Sequence, residues 1–287
     1  MKITFLGTAS ANAYPEAFCK CINCQTARKI GGKSFRKRSS LLLNDDLLID
    51  FGPDIMSASY LHGCPLTEVR YCLQTHAHED HLDTSLLVSR APDYEIVGAP
   101  HLDFYASAKT LALTAQRVDR DSTPFNLFDA EIEQRLDLNT HEVRGHQSFA
   151  FGRYQVTAFP ANHDPTVEPL LYAIQSDDCS LFYGTDTATL PDETWQSLLE
   201  HRMCFDVVIL DHTYGPTSSQ IDHLNAHQFI EHIARFRDDG LLAKNARIFA
   251  THISHSGNPV HPKLVEFASA NGYEIAYDGL TLDHCSQ

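Results

Sequence analysis

The sequence predicts an α/β domain spanning residues 1–287, in which two mixed β-sheets pack together with helices outside. Three observations predict it. Short apolar strands alternate with helical stretches, the first half is rich in hairpin signals, and the second half alternates strand with helix. No repeat at a solenoid period and no low-complexity tract breaks the pattern.

KITFLG (2–7) opens as a buried strand, and SSLLLNDDLLIDFG (39–52) reads as a hairpin around Asn44, Asp45 and Asp46. VRYCLQ (69–74) is a strand and EIVGAP (95–100) another short one. HLDFYASAKTLALTA (101–115) has apolar residues three and four apart, the spacing of a helix. The polar, weakly patterned stretch 114–140 is the expected connection between the halves, without being a domain boundary. Strands return in the region 141–159, and LLYAIQ and CSLFYG flank Ser176, Asp177 and Asp178 as a second hairpin. PDETWQSLLEHR begins with Pro191 and two acids, a fitting helix start. DVVILD (206–211) is a buried strand, NAHQFIEHIARFR (225–237) a helix and RIFATH (247–252) a strand. PKLVEFASANG (262–272) is a helix ending at Gly272, and YEIAY (273–277) is the last strand.

Hydrophobic residues make up 43% of the 287 and charged residues 21%, enough apolar material for a sizeable core. No apolar run approaches the roughly 18 residues of a membrane span. MKITFLGTAS is too short in its apolar part for a signal peptide and carries no cleavage pattern, so the expected compartment is the cytoplasm. A net charge of −15 disfavours extended nucleic acid, although bound metal ions would reverse the local field for a small phosphate ester. The basic cluster Arg28, Lys29, Lys33, Arg36, Lys37 and Arg38 is either a solvated loop face or a means of attracting an anionic substrate. Eight cysteines in a chain of this length do not indicate a disulfide framework. Cys64, Cys72, Cys179, Cys204 and Cys285 are scattered and read as small core residues. Cys19, Cys21 and Cys24 are clustered.

The chemistry concentrates in THAHEDH (75–81), three histidines and two carboxylates directly after the apolar run VRYCL. Alternate residues of an extended backbone point the same way, so His76 and His78 can reach one metal. Asp80 and His81, past the turn, can reach a second. Neutral imidazole and carboxylate suit Zn²⁺ or Mn²⁺. Further candidates follow other apolar strands: His163 in PANHD, Asp186 in YGTDT and His252 in ATHISH. Each alone reads as a capping or surface residue. Together they repeat one event, a metal-competent side chain at a buried strand's end.

The order of a GT near the N-terminus, H-x-H-x-D-H, a histidine, an aspartate in a G-T-D-T turn and a final histidine resembles the metallo-β-lactamase-fold hydrolases. The resemblance covers most of the chain. It implies an αββα sandwich with a two-metal site at one sheet edge. By that likeness His76, His78 and His163 hold one ion, Asp80, His81 and His252 the other, and Asp186 bridges them. The C-x-C-x₂-C run with THISH is similar to one branch, the phosphoribosyl 1,2-cyclic phosphate phosphodiesterases. That likeness assigns Cys19, Cys21, Cys24 and His255 to a closed structural zinc, pinning the N-terminal loop to the loop of His252.

Two adjacent metals can lower the pKa of a bridging water and clamp a phosphodiester for in-line attack. The expected function is therefore metal-dependent hydrolysis of a small, cyclic phosphodiester. His223 in IDHLNAH lies roughly where that branch carries a histidine, so the resemblance implies a proton donor or phosphate contact, and the ligand Asp80 also carries a catalytic role. The plainer reading of His223 is a polar residue at a helix start, since Asp222 and Asn225 both look like caps. DHTYGPTSSQIDH departs from the family pattern, and His212 and Tyr214 there either line the pocket or sit in a loop. Competing expectations are a thioesterase or lactonase on the same scaffold, and a factor like the pyrroloquinoline quinone biosynthesis B proteins. A homodimer is implied by the resemblance alone.

Overall fold

Leu41 and Leu43 face one hydrophobic core and Leu42 faces another, which explains why the strands read as unbroken apolar runs. The same split occurs in the second half, where Val207 and Ile209 point one way and Val208 and Leu210 the other. Strands buried on both faces require three stacked cores, and the chain has them. We describe residues 1–121, 127–176 and 179–283 in a computed structural model.

The first sheet contains β1 (Lys2–Gly7), β2 (Ser40–Leu43), β3 (Leu47–Ile49), β4 (Tyr71–Leu73), β5 (Leu102–Ala106), β6 (Leu138–Glu142) and the late strand β14 (Thr281–Asp283). Its order is β14-β1-β2-β3-β4-β5-β6, antiparallel from β14 to β3 and parallel from β3 to β6. The second contains β7 (Ser148–Phe151), β8 (Tyr154–Pro160), β9 (Leu170–Ser176), β10 (Cys179–Gly184), β11 (Phe205–Asp211), β12 (Leu242–Thr251) and β13 (Glu274–Ile275). It runs β13 to β7 in reverse order, with the same division into a parallel and an antiparallel half. Phe5, Leu73, Tyr172, Ile209 and Phe249 fill the space between the sheets.

Helices α2 (Ile55–His62), α3 (Thr84–Val88), α4 (Ala108–Asp121) and α5 (Ala130–Leu136) cover the first sheet, sharing a core with Leu42, Leu48 and Phe104. Helices α6 (Asp192–Glu200), α7 (Ala226–Asp238) and α8 (His261–Ala270) cover the second, with Trp195, Phe229, Phe236 and Leu264 packed on Phe182 and Val208. The expected sandwich is the one found. The remaining helix, α1 (Ile22–Ile30), belongs to the N-terminal loop.

Several local expectations change. The hairpin turn holds, with Asn44 and Asp45 both in the left-handed region at φ 48° and 68°. EIVGAP is not a strand, and residues Glu95 to Gly98 are exposed. HLDFYASAKTLALTA divides: Leu102–Ala106 is strand β5, and Ser107 precedes the helix, its hydroxyl accepting from the Thr110 N–H at 3.3 Å. The apolar spacing across 101–115 was real, but its first part belonged to a strand buried on both sides. The stretch 114–140 holds parts of α4, α5 and β6, so the crossing between sheets falls after β6 and not there. Asp177 and Asp178 of the second hairpin lie outside the described residues, as does Cys285. Cys72 is core, Cys204 is exposed, and Cys179 is buried in a disulfide that the composition did not suggest. Among the described residues no helix is long and apolar enough to cross a membrane.

Candidate metal centre

Strands of both sheets run out toward one edge, where the polar residues that follow them meet. Beyond β4 stand His76, His78, Asp80 and His81; beyond β8, His163; beyond β10, Asp186; beyond β12, His252. His76, His78, His163 and Asp186 place one donor atom each within 4.8 Å of one another. Asp80, His81, Asp186 and His252 do the same. Asp186 belongs to both groups. Its Oδ2 lies 2.9 Å from His76 Nε2 and 3.1 Å from His81 Nε2, and its Oδ1 lies 3.5 Å from His163 Nε2. Asp186 and His252 both have left-handed backbone, φ 59° and 57°, a region uncommon for residues other than glycine but entered more readily by Asp and His than by most.

The donor set fits two divalent cations. His81 Nε2, His252 Nε2 and Asp186 Oδ1 are buried without a hydrogen-bond partner, and all three belong to the cluster. His78 Nδ1 stands 3.0 Å from His76 Nε2 and 3.2 Å from His163 Nε2, nitrogen lone pairs converging on one point. Burial would raise the Asp186 carboxyl, but His252 and His76 overcome it and hold it well below the usual range. Burial lowers His163 to about 4, leaving its lone pair free at neutral pH.

A ring of partners that the sequence reading missed orients the donors. Asp50, which ends the hairpin at φ 67°, takes the His81 Nδ1–H at 2.7 Å, the Thr75 N–H and hydroxyl both at 2.8 Å, and the Gln74 amide at 3.0 Å. With Nδ1 protonated, His81 presents Nε2 as a lone pair. Asp211, at the end of β11, accepts from the Asp186 N–H at 3.0 Å and from the Thr213 hydroxyl at 3.1 Å, while Thr213 Oγ1 meets His252 Nδ1 at 2.7 Å. Asp164 Oδ2 sits 3.4 Å behind His78 at Nε2. Asp50 and Asp211 both close apolar strands, in LLID and VVILD, and that signal could have found them. Asp50→Asn is expected to weaken metal binding about 10- to 100-fold, as outer partners of ligating histidines do. Competition against a chromophoric chelator measures it.

His223 enters the same centre. Its Nδ1 lies 3.2 Å from Asp211 Oδ2 and 3.2 Å from Asp186 Oδ1, and its ring stacks 5.6 Å from His252. It caps no helix: Asn225 does, in a capping box with Gln228, while Asp222 receives the Tyr214 hydroxyl at 2.9 Å. Tyr214 packs edge-on against His223 at 5.5 Å, whereas His212 is buried away from the centre.

The cysteine run forms a second, separate cluster. Cys19, Cys21, Cys24 and His255 bring their donor atoms within 4.8 Å of one another, with Cys21 Sγ 3.6 Å and Cys19 Sγ 3.8 Å from His255 Nδ1. Three sulfurs and one imidazole are the donor types that closed, tetrahedral zinc sites use. Arg28 clamps the loop through the carbonyls of Glu16, Ala17 and Cys19.

Three other cations of the basic stretch serve the fold too. Arg38 pairs with Asp54 at 2.8 Å, and Lys33 lies 3.7 Å over the Tyr277 ring. Arg36 is buried and donates to Thr8 Oγ1 at 2.7 Å and to His261 Nδ1 at 2.9 Å. Burial, then Arg36 and Lys33, push His261 down to about 3. The unfolded chain therefore binds this proton first, and His261's contribution is full above pH 6.5 and lost as pH falls toward 3. Urea midpoints measured from pH 7.5 to 5 are expected to fall less steeply in His261→Gln, which keeps an acceptor for Arg36.

A family model described as "Beta-lactamase superfamily domain" matches residues 46–253. No curated protein matches. Among solved structures, a diphosphatase of the PhnP family aligns at TM-score 0.71 and 22% identity, over 98% of this chain and 96% of that one. Zn²⁺-bound PqqB from Methylobacterium extorquens aligns at 0.71 and 20%, over 99% and 100%. The short form of human tRNase Z aligns at 0.63 and 16%, over 99% of each. These likenesses show the fold.

Proposed function

The chain belongs to the beta-lactamase superfamily, and from that premise we propose that it is a two-metal phosphodiesterase acting on a small, cyclic phosphodiester. One observation carries the reading: two three-donor sets share a single carboxylate, Asp186, amid buried atoms that lack a hydrogen-bond partner. Two divalent ions held there would supply a water of lowered pKa and neutralise charge at phosphorus. The protein's own residues supply the rest. His76, His78 and His163 would hold one ion and Asp80, His81 and His252 the other, while Asp50, Thr213 and Asp211 orient the imidazoles of His81 and His252. His223, backed by Asp211, would supply the proton that a departing alkoxide takes up. The thiolate cluster has the character of a structural zinc site.

The likeness to PqqB supports a second reading, a biosynthetic factor, because that protein is covered end to end. The His223–Asp211 pair favours hydrolysis, since an expelled leaving group needs a donor there. Matched phosphodiester, thioester and lactone substrates, offered with Mn²⁺ or Zn²⁺, test the proposal. Turnover of the diester alone or fastest supports it; turnover of only the thioester or lactone overturns it.

A further inference from the structure

The segment Thr251 to Pro259 carries a donor for each metal cluster: His252 for the dinuclear centre and His255 for the thiolates. Asn258, three residues beyond His255, is wholly buried. Its Nδ2 donates to the Ser254 carbonyl at 3.0 Å, to the Thr213 carbonyl at 2.9 Å and to the His212 carbonyl at 3.0 Å. Its Oδ1 accepts from His212 Nδ1 at 2.9 Å, leaving His212 Nε2 to accept from the Tyr273 hydroxyl at 3.0 Å. One amide thus joins the loop after β11 to the loop after β12. The two loops approach so closely that a Cβ on Gly257 would stand 1.8 Å from the Tyr214 carbonyl oxygen, and one on Gly215 2.3 Å from Asn258 Oδ1.

Each end of this link leads to a metal cluster. On one side, Ser254 adjoins His255, whose carbonyl also takes the Asn23 amide of the thiolate loop at 3.0 Å. Tyr14, which opens that loop, donates to the Asn258 carbonyl at 3.1 Å. On the other side, Thr213 Oγ1 orients His252, and the Thr213 N–H binds Asp211 Oδ1 at 2.8 Å. Asp211 in turn meets His223. A shift of the His255 loop therefore moves the groups that aim His252.

Resting on the two-metal reading above, we infer that Asn258 is a positioning residue coupling the thiolate cluster to the dinuclear centre, so that zinc at the cysteines tightens metal binding at the histidines. The coupling is a linkage between two sites through one buried amide, and it is reciprocal. It explains why a closed site with no chemistry of its own shares a nine-residue segment with a catalytic ligand.

Cobalt titration of the full-length protein, stripped of metal, tests it without an activity readout. The near-ultraviolet thiolate-to-cobalt band follows the cysteine cluster, and total cobalt bound at equilibrium dialysis, less the share that band accounts for, follows the histidines. His255→Ala, which removes a thiolate-site ligand and no dinuclear one, is expected to weaken dinuclear binding about 10- to 100-fold, the range for an outer partner of a ligand. Asn258→Asp keeps the acceptor for His212 but loses the amide donors. It is expected to show the same loss while keeping the thiolate band, which also reports that the loop has folded. Should Asn258→Asp not fold, His255→Ala decides by itself. Wild-type dinuclear affinity in His255→Ala overturns the coupling, and wild-type affinity in Asn258→Asp overturns the role of Asn258. A wild-type protein that takes up cobalt at the thiolates alone overturns the two-metal reading, and this inference with it.

Discussion

Replacing Asp186 with alanine is expected to lower kcat/KM for a phosphodiester by at least about 10³-fold, roughly 4 kcal/mol of transition-state stabilisation. Among the described residues no other contributes to both donor groups. Its two oxygens approach His76, His81, His163 and His223 within 3.5 Å, so on the two-metal proposal its loss would remove a ligand from each ion at once. It also removes the negative charge against which four buried or half-buried imidazoles are packed. Excess Mn²⁺ or Zn²⁺ is expected not to restore the rate, because the missing oxygen is the shared one. Circular dichroism with steady-state kinetics separates this result from unfolding. A variant that retains near-normal kcat/KM would mean that Asp186 does not bridge.

His223→Ala carries the second large effect, about 10²- to 10⁴-fold in kcat, the usual contribution of a positioned general acid. The size depends on the leaving group. An alkoxide needs a proton as the P–O bond breaks, whereas p-nitrophenolate leaves without one. The loss is therefore expected to be large for an alkyl diester and small for a p-nitrophenyl diester. Equal losses on both substrates would instead make His223 a phosphate contact, the other role its place beside Asp186 permits. Asp211 holds the ring at 3.2 Å, so Asp211→Asn should follow the same leaving-group pattern with a smaller amplitude.

Residues whose role follows from local sequence were legible; those whose role follows from tertiary packing were not. THAHEDH announced itself because the spacing of its donors is set by a single strand end. His163, Asp186 and His252 repeated that event on other strands, and the sandwich brings all of them to one edge. The cysteine run was legible for the same reason, with His255 only three residues from His252. Asp50 and Asp211 were harder to see. Each is a lone acid at the end of an apolar strand, and its partners, His81 and His252, lie far off in sequence. His212 was equally ambiguous: it follows Asp211 directly, yet it turns into the core toward Asn258 and Tyr273.

The misreading of strand β5 has one cause. Leu102–Ala106 is buried on both faces, so its apolar residues carry no alternation and merge with the helical spacing that follows Ser107. Strand β14 was missed because it is only three residues long and pairs with β1 at the opposite end of the chain.

Metal content of the purified protein tests the central claim most directly. Elemental analysis against protein concentration is expected to give three ions per chain, two in the histidine centre and one at the cysteines. Asp186→Ala should then retain only the cysteine-bound ion. A wild-type protein that saturates at one ion per chain, after reconstitution with excess Zn²⁺ or Mn²⁺, would contradict the account.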